Sequence, residues 1–178
     1  MARLEEKYNA ELVPALMTEF SIANRLAVPR IQKIVVSMGV GKAALERKRL
    51  EDAARDMAAI TGQKPKLTRA KKSVSNFKLR QGMEIGCVVT LRGDRMYEFL
   101  DRLMNISMPR IRDFRGVARK YDPAGNFSLG VSDISIFPEV NLDSLEFDQG
   151  LNVTLVIANS NAKKTERLLE LFGMPFRR

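Results

Sequence analysis

The sequence contains no histidine, no tryptophan and a single cysteine, Cys87. Without histidine, the commonest general base, the commonest metal ligand and any Ser–His or Cys–His pair are missing. One cysteine and no histidine leave no ligand set for tetrahedral zinc, so no metal is expected. A lone cysteine excludes an intramolecular disulfide and suits a reducing compartment. Cys87 reads as a small buried hydrophobe rather than a reactive thiol. Long apolar runs are also missing. No stretch approaches the ~20 residues of a membrane span, and the opening Met1-Ala2-Arg3-Leu4-Glu5-Glu6 has no apolar core, so neither a membrane nor a signal peptide is expected. The pairs Asp52/Asp56 and Glu98/Asp101 fall on amphipathic helical patterns, where they read as solvated helix face rather than a catalytic dyad. No catalytic residue and no cofactor are expected.

Acidic residues are absent from Met57 to Met83, while Lys64, Lys66, Arg69, Lys71, Lys72, Lys78 and Arg80 are all cationic. A solvated loop is usually mixed in sign; this one calls for a polyanion. The chain of 178 residues carries a net charge of +9. The charge is polarised. Tyr121 to Ala162 has no Lys or Arg but contains Asp122, Asp133, Glu139, Asp143, Glu146 and Asp148. A domain this basic favours RNA, DNA or another anionic surface.

Leu4, Tyr8, Leu12, Leu16 and Phe20 recur every four residues as one helical stripe, with a break or new first turn expected at Pro14. Residues 30–37 read as a β-branched strand. Lys42 to Thr61 reads as a helix with Leu45, Leu50, Ala53, Ala54, Met57, Ala58 and Ile60 on its apolar face, stopped by Gly62. After the basic arm, Ile85, Cys87, Val89 and Leu91 alternate with Gly86, Val88, Thr90 and Arg92, a strand with one apolar face. A helix over 94–106 follows, with Asp94 as N-cap and Pro109 as terminator. Residues 110–120 form a second basic stretch, read as a loop, and 122–126 is turn chemistry. Phe127–Phe137 and residues 151–158 read as strands, 138–149 as an acidic loop and 163–172 as a short helix. With no repeat and no linker, 1–178 reads as one domain with a basic arm at about 64–83. The fold class is α+β: an antiparallel-rich sheet with helices packed on one face, the other face open for RNA, and a basic hairpin arm.

Gly39-Val40-Gly41-Lys42-Ala43-Ala44 fits the glycine pattern of a dinucleotide site, but the acidic residue needed ~20 positions on is replaced by the basic arm. The Walker pattern fails because Ala43 follows Lys42. Backbone amides of this turn facing an RNA phosphate are the better fit. Phe77, among Lys72, Lys78 and Arg80, either stacks on an unpaired base or anchors the arm to the core. Gln63 and Thr90 can hydrogen-bond ribose or base edges.

The stretches KIVVSMGVG (33–41), ITGQKPKLTRAKKSVSNFKLRQGMEIGCVVTLRG (60–93), FLDRL (99–103), PRIRDFRG (109–116), GNFSLG (125–130), IFPE (136–139) and LFGMPF (171–176) resemble the bacterial L-five (uL-five) family of the large ribosomal subunit. The resemblance runs nearly end to end. It implies a cytoplasmic, ribosomal component of the central protuberance that binds 5S rRNA beside that RNA's other proteins, within the large-subunit rRNA. It also implies contact with the elbow of P-site tRNA and a bridge to a protein in the small-subunit head. Carried over by position, Ser37, Met38, Gln63, Phe77 and Thr90 face 5S rRNA. Lys64, Lys66, Arg69, Lys71, Lys72 and Arg92 supply further rRNA contacts. The arm tip, with Ser73, Ser75, Asn76, Lys78 and Arg80, reaches tRNA. The family usually has Asn where this chain has Ser37; the shorter side chain makes a water-mediated contact the expectation there. The acidic 139–148 loop also departs from the family's more charge-mixed version.

Overall fold

The computed structural model describes residues 2–140, 147 and 149–177. Among them, five strands form one sheet in the order β2-β3-β1-β5-β4. The strands are β1 (Arg30–Gly39), β2 (Lys66–Arg69), β3 (Glu84–Leu91), β4 (Phe127–Val131) and β5 (Leu151–Ala158). The helices are α1 (Arg3–Lys7), α2 (Val13–Glu19), α3 (Lys48–Thr61), α4 (Gly93–Arg102) and α5 (Ala162–Phe172). The α+β class with an antiparallel sheet is as expected. The chain divides into two compact units, residues 1–34, 91–129 and 154–178, and residues 35–90 and 130–153.

In the first unit, α1 passes into α2 through a π-helical segment, Tyr8–Leu12. Pro14 lies in the first turn of α2, directly after that π-helical segment. The proline therefore starts a new turn without ending the helical run. Tyr8 stacks on Phe172 at 6.1 Å, and its hydroxyl donates to the Pro29 carbonyl at 2.9 Å. Asp94 does not cap α4. The N-cap is Arg92, with no side-chain bond, and Asp94 Oδ1 instead accepts from the Ala2 amide at 3.3 Å. Helical structure continues past α4 through π and 3₁₀ turns to Arg110, so Pro109 opens a 3₁₀ turn rather than ending the helix. The 122–126 turn forms as expected, with Asn126 donating twice to the Asp122 carboxylate. Those bonds hold the Asp122 carboxyl below its ordinary range.

In the second unit, α3 buries Leu50, Ala53, Met57 and Ile60. This i, i+3, i+7, i+10 stripe is worth roughly 1.5–3 kcal/mol for each large side chain. The helix is shorter than its sequence pattern suggests. Gly41–Ala44 is a 3₁₀ turn, and Leu45, expected on the apolar face, is 74 % exposed. Gly62 ends α3 at φ 66°, its amide bonded to the Ala58 carbonyl at 2.9 Å. The core side of this unit's strands carries Val36, Met38, Cys87, Val89, Leu151 and Val153. The strand expected over Phe127–Phe137 stops at Val131. Asp133 Oδ1 accepts the Ser135 amide at 2.7 Å and turns the chain into a 3₁₀ segment, Ile134–Ile136. Most of the acidic 139–148 stretch lies outside the described residues. Phe147 is described, with the Arg49 guanidinium 3.9 Å from its ring centroid.

Candidate nucleic-acid interface

The arm leaves α3 through Thr61, whose hydroxyl donates to the Met57 carbonyl at 2.7 Å and accepts the Gln63 amide at 3.4 Å. Gln63 is therefore fixed at the backbone, and its side chain is half-buried. The chain then forms β2 and pairs antiparallel with β3: Lys66 with Val88, Leu67 with Cys87, Thr68 with Gly86. The register slips between Thr68 and Arg69, so Arg69 lies opposite Glu84. Such an irregularity bends a strand and twists it more strongly. Gly86 permits the pairing. A Cβ there would lie 2.7 Å from the Met38 carbonyl oxygen and 2.9 Å from Thr68 Oγ1. A lone glycine inside an alternating strand is the sequence sign of such close approach, and that need was not read from the sequence.

Beyond β2 the arm is held by its own backbone. The Ala70 amide donates to Met83 O at 2.8 Å, and the Gly82 amide to Ala70 O at 2.9 Å. Nearer the tip, Val74 and Leu79 exchange both bonds, at 2.9 and 3.1 Å. A 3₁₀ turn, Ser75–Phe77, makes the tip, and Lys78 closes it in the left-handed region at φ 52°. Ser73 Oγ accepts the Gln81 amide at 2.9 Å. Ser73 thus shapes the tip, whereas Ser75, Asn76, Lys78 and Arg80 are exposed on it. These bonds set the backbone spacing of the residues that carry the arm's cations.

Of the seven arm cations, Arg69 alone forms an ion pair with a described residue, with Glu84 at 3.2 Å and 70 % exposed. An exposed pair of that kind contributes only ~0–1 kcal/mol. Lys64, Lys66, Lys71, Lys72, Lys78 and Arg80 are exposed and make no ion pair among the described residues. A trough of about 640 Å³ runs beside the arm's base, lined by Lys66, Leu67, Thr68, Arg69, Glu84 and Val88. Phe77 is 75 % exposed. Phe77 is therefore not the arm's anchor; Ala70, 6 % exposed, is the buried point of the arm.

The sheet face opposite the core side carries Ser37, Thr90 and Asn152 in this unit. Ser37 is half-buried, while Thr90 and Asn152 are exposed. Met38 is a correction. It is 2 % exposed and packs into the core. Period-two alternation cannot point both Ser37 and Met38 at the same face, so the Met38 side chain is unavailable to RNA. Arg92, in the other unit, is exposed.

The dinucleotide reading loses its geometry. Val40 still pairs with β3, its amide donating to Ile85 O at 2.9 Å, and α3 begins only at Lys48. No helix N-terminus therefore follows the glycines directly, as a pyrophosphate cradle requires. Burial pushes the Cys87 thiol up to about 11, which leaves it protonated and inert at neutral pH. Among the described residues, no group of His, Cys, Asp and Glu side chains could hold a metal, and no helix is long and apolar enough to cross a membrane.

Two family models cover nearly the whole chain: that of ribosomal protein L5 matches residues 24–80, and that of the ribosomal L5 family C-terminus matches residues 84–176. Large ribosomal subunit protein uL5 of Geotalea uraniireducens is 56 % identical over 178 residues, 99 % of each chain. The uL5 proteins of Geobacter sp. (strain M21) and Chloroflexus aurantiacus are 53 % and 54 % identical, over 99 % and 98 % of each chain respectively. The cationic hairpin and open sheet face thus belong to a structural, non-enzymatic component of the cytoplasmic ribosome: the chain is a member of the ribosomal protein L5 (uL5) family of the large subunit.

Proposed function

We propose that the chain binds 5S rRNA through its basic arm and the open face of its sheet, and acts there as one structural unit of the central protuberance. Lys64, Lys66, Arg69, Lys71 and Lys72 bind phosphates, which position the protein without reading sequence. Gln63, Thr90 and Ser37 bond ribose or base edges from the sheet side, Ser37 through water, and Arg92 adds charge. Phe77 stacks on an unpaired base. The tip residues Ser75, Asn76, Lys78 and Arg80 reach P-site tRNA, with Ser73 holding the turn in shape. Other 5S-associated proteins, the large-subunit rRNA and a protein of the small-subunit head complete the surroundings. The observation that carries this reading is the set of six exposed arm cations that make no ion pair among the described residues, on a hairpin ordered by its own backbone bonds.

Filter binding to 5S rRNA tests it. Each phosphate contact contributes about 0.9 to the slope of log K against log salt for a duplex, somewhat less for single strands. Replacing Lys64, Lys66, Lys71 and Lys72 by Gln should flatten that slope by roughly 3. An unchanged slope refutes the phosphate clamp.

A further inference from the structure

We propose that a cleft in the unit of residues 1–34, 91–129 and 154–178 binds a free α-amino acid with a large apolar side chain, its carboxylate at Arg30 and its ammonium at Glu5. The cleft lies between the N-terminal helical run, the start of β1 and the first turns of α4, and holds about 340 Å³. That volume is at the small end of the ~300–1,000 Å³ of ligand pockets, so it suits a molecule of amino-acid size. The site stands apart from the RNA-binding arm and does not rest on that reading.

The inner wall is apolar. Tyr8, Ile31, Met96 and Tyr97 line it, and all four are buried. Tyr8 is held twice, stacked on Phe172 at 6.1 Å and bonded through its hydroxyl to the Pro29 carbonyl at 2.9 Å. Tyr97 packs on the same Phe172 ring, with 6.5 Å between centroids. Its polar end is treated differently. Tyr97 is 6 % exposed, yet its hydroxyl has no hydrogen-bond partner among the described residues. A buried phenol normally finds one, and a polar ligand atom in the cleft would supply it.

Two opposite charges stand at the mouth. Arg30 is exposed, Glu5 is half-buried, and both line the cleft. Neither makes an ion pair, with the other or with any other described residue. A guanidinium and a carboxyl that share a cleft without meeting leave room between them for a ligand that carries both complementary groups. The Arg30 fork matches a carboxylate with two parallel bonds, and the exposed Gln32 amide lines the cleft beside it. At the Glu5 end, burial and then the neighbouring Asp94 carboxyl raise the Glu5 carboxyl above its ordinary value, with Glu6 adding to the effect. A ligand ammonium there relieves the crowding of acids. The same acids repel a phosphate chain, which distinguishes this cleft from the arm.

Two of the three tyrosines line the cleft and the chain has no tryptophan, so tyrosine emission from the full-length protein reports occupancy. L-Leucine should change that emission saturably, with half-saturation on the order of 1 mM, and should raise the melting temperature as any ligand of the folded state does. Leucinamide, which lacks the carboxylate, and N-acetyl-leucine, which lacks the ammonium, should each bind at least about tenfold more weakly. Arg30→Gln should erase the preference for leucine over leucinamide, and Glu5→Gln the preference over N-acetyl-leucine, each leaving the other preference in place. Melting curves of the two variants without ligand separate a lost contact from a lost fold. The proposal is overturned if leucine, methionine and phenylalanine give no saturable response up to about 50 mM, if both derivatives bind as well as leucine, or if both folded variants keep wild-type leucine binding. Displacement of leucine by saturating 5S rRNA also overturns it, by giving the cleft to RNA.

Discussion

The hairpin of 66–84 and the loop of 110–120 are both cationic, but they hold their charge in different ways. The hairpin is closed by bonds within itself: Ala70 with Met83, Gly82 with Ala70, Val74 with Leu79. The loop has almost no internal bonding and is tied instead to the C-terminal segment through Val117, Pro175 and Arg177. The hairpin gives one cation, Arg69, to an ion pair with its own strand partner, Glu84. The loop gives up Arg119, which pairs with α5 far along the chain. A run of positive charge in a sequence therefore does not reveal its scaffold; the glycines do.

Two glycines test that contrast. Gly82 and Gly116 both have positive φ, 87° and 90°. Nothing lies within 4 Å of a Cβ on Gly82, whereas one on Gly116 would strike the backbone of Phe176 and Arg177 at 2.6–2.7 Å. Gly82→Ala should cost about 1 kcal/mol from backbone strain alone. Gly116→Ala adds a collision with backbone that cannot rotate away, and should cost roughly 3 kcal/mol or more. Urea unfolding measures both. Equal losses would show that the strap yields.

Aromatic residues make the next comparison. Phe77→Ala should weaken RNA binding by ~1–3 kcal/mol and leave stability unchanged, because the ring is 75 % exposed. Phe127, fully buried, should show the opposite pattern, with ~3–5 kcal/mol of stability lost on truncation. A Phe77→Ala variant that melts early would mean the arm packs its tip after all.

The smallest effect is on pH dependence. Burial raises the Cys87 thiol from 9.0 to about 11 and Tyr97 from 10.0 to about 12. Both groups keep their protons longer in the folded chain than in the unfolded one. Their contribution is complete below about pH 9 and is lost as pH rises through 11 and 12. Denaturant midpoints should thus fall between about pH 9 and 11. A cysteine introduced into the arm should be alkylated at about pH 8, near its ordinary range, while Cys87 stays unlabelled.

Much of this was legible in the residues. The alternation of Ile85, Cys87, Val89 and Leu91 marked β3, and Gly62 marked the end of α3, because each expresses a local rule. The arm's charge was equally plain. What escaped was decided by neighbours distant in sequence or by competing local bonds. Gly86 looks like a weak strand residue until Thr68 and the Met38 carbonyl are seen against it. Asp133 turns the chain away from a strand whose alternation Ile134 and Ile136 would continue. Resemblance groups Met38 with Ser37, although strict alternation puts the two on opposite faces. An aromatic in a charged run fits either a core or a surface, and only the exposure of Phe77 rules out the core.

The most direct test is local cleavage of bound RNA. With Cys87 buried and protonated, Leu67→Cys places the one reactive thiol beside Lys66 on the arm, at an exposed position, ready to carry a tethered iron chelate. Hydroxyl radicals released there should cut bound 5S rRNA in a compact cluster of nucleotides, and the cutting should fade as KCl is raised. RNA left intact beside the tethered iron, under conditions where the complex persists on a filter, would contradict the arm's grip on RNA.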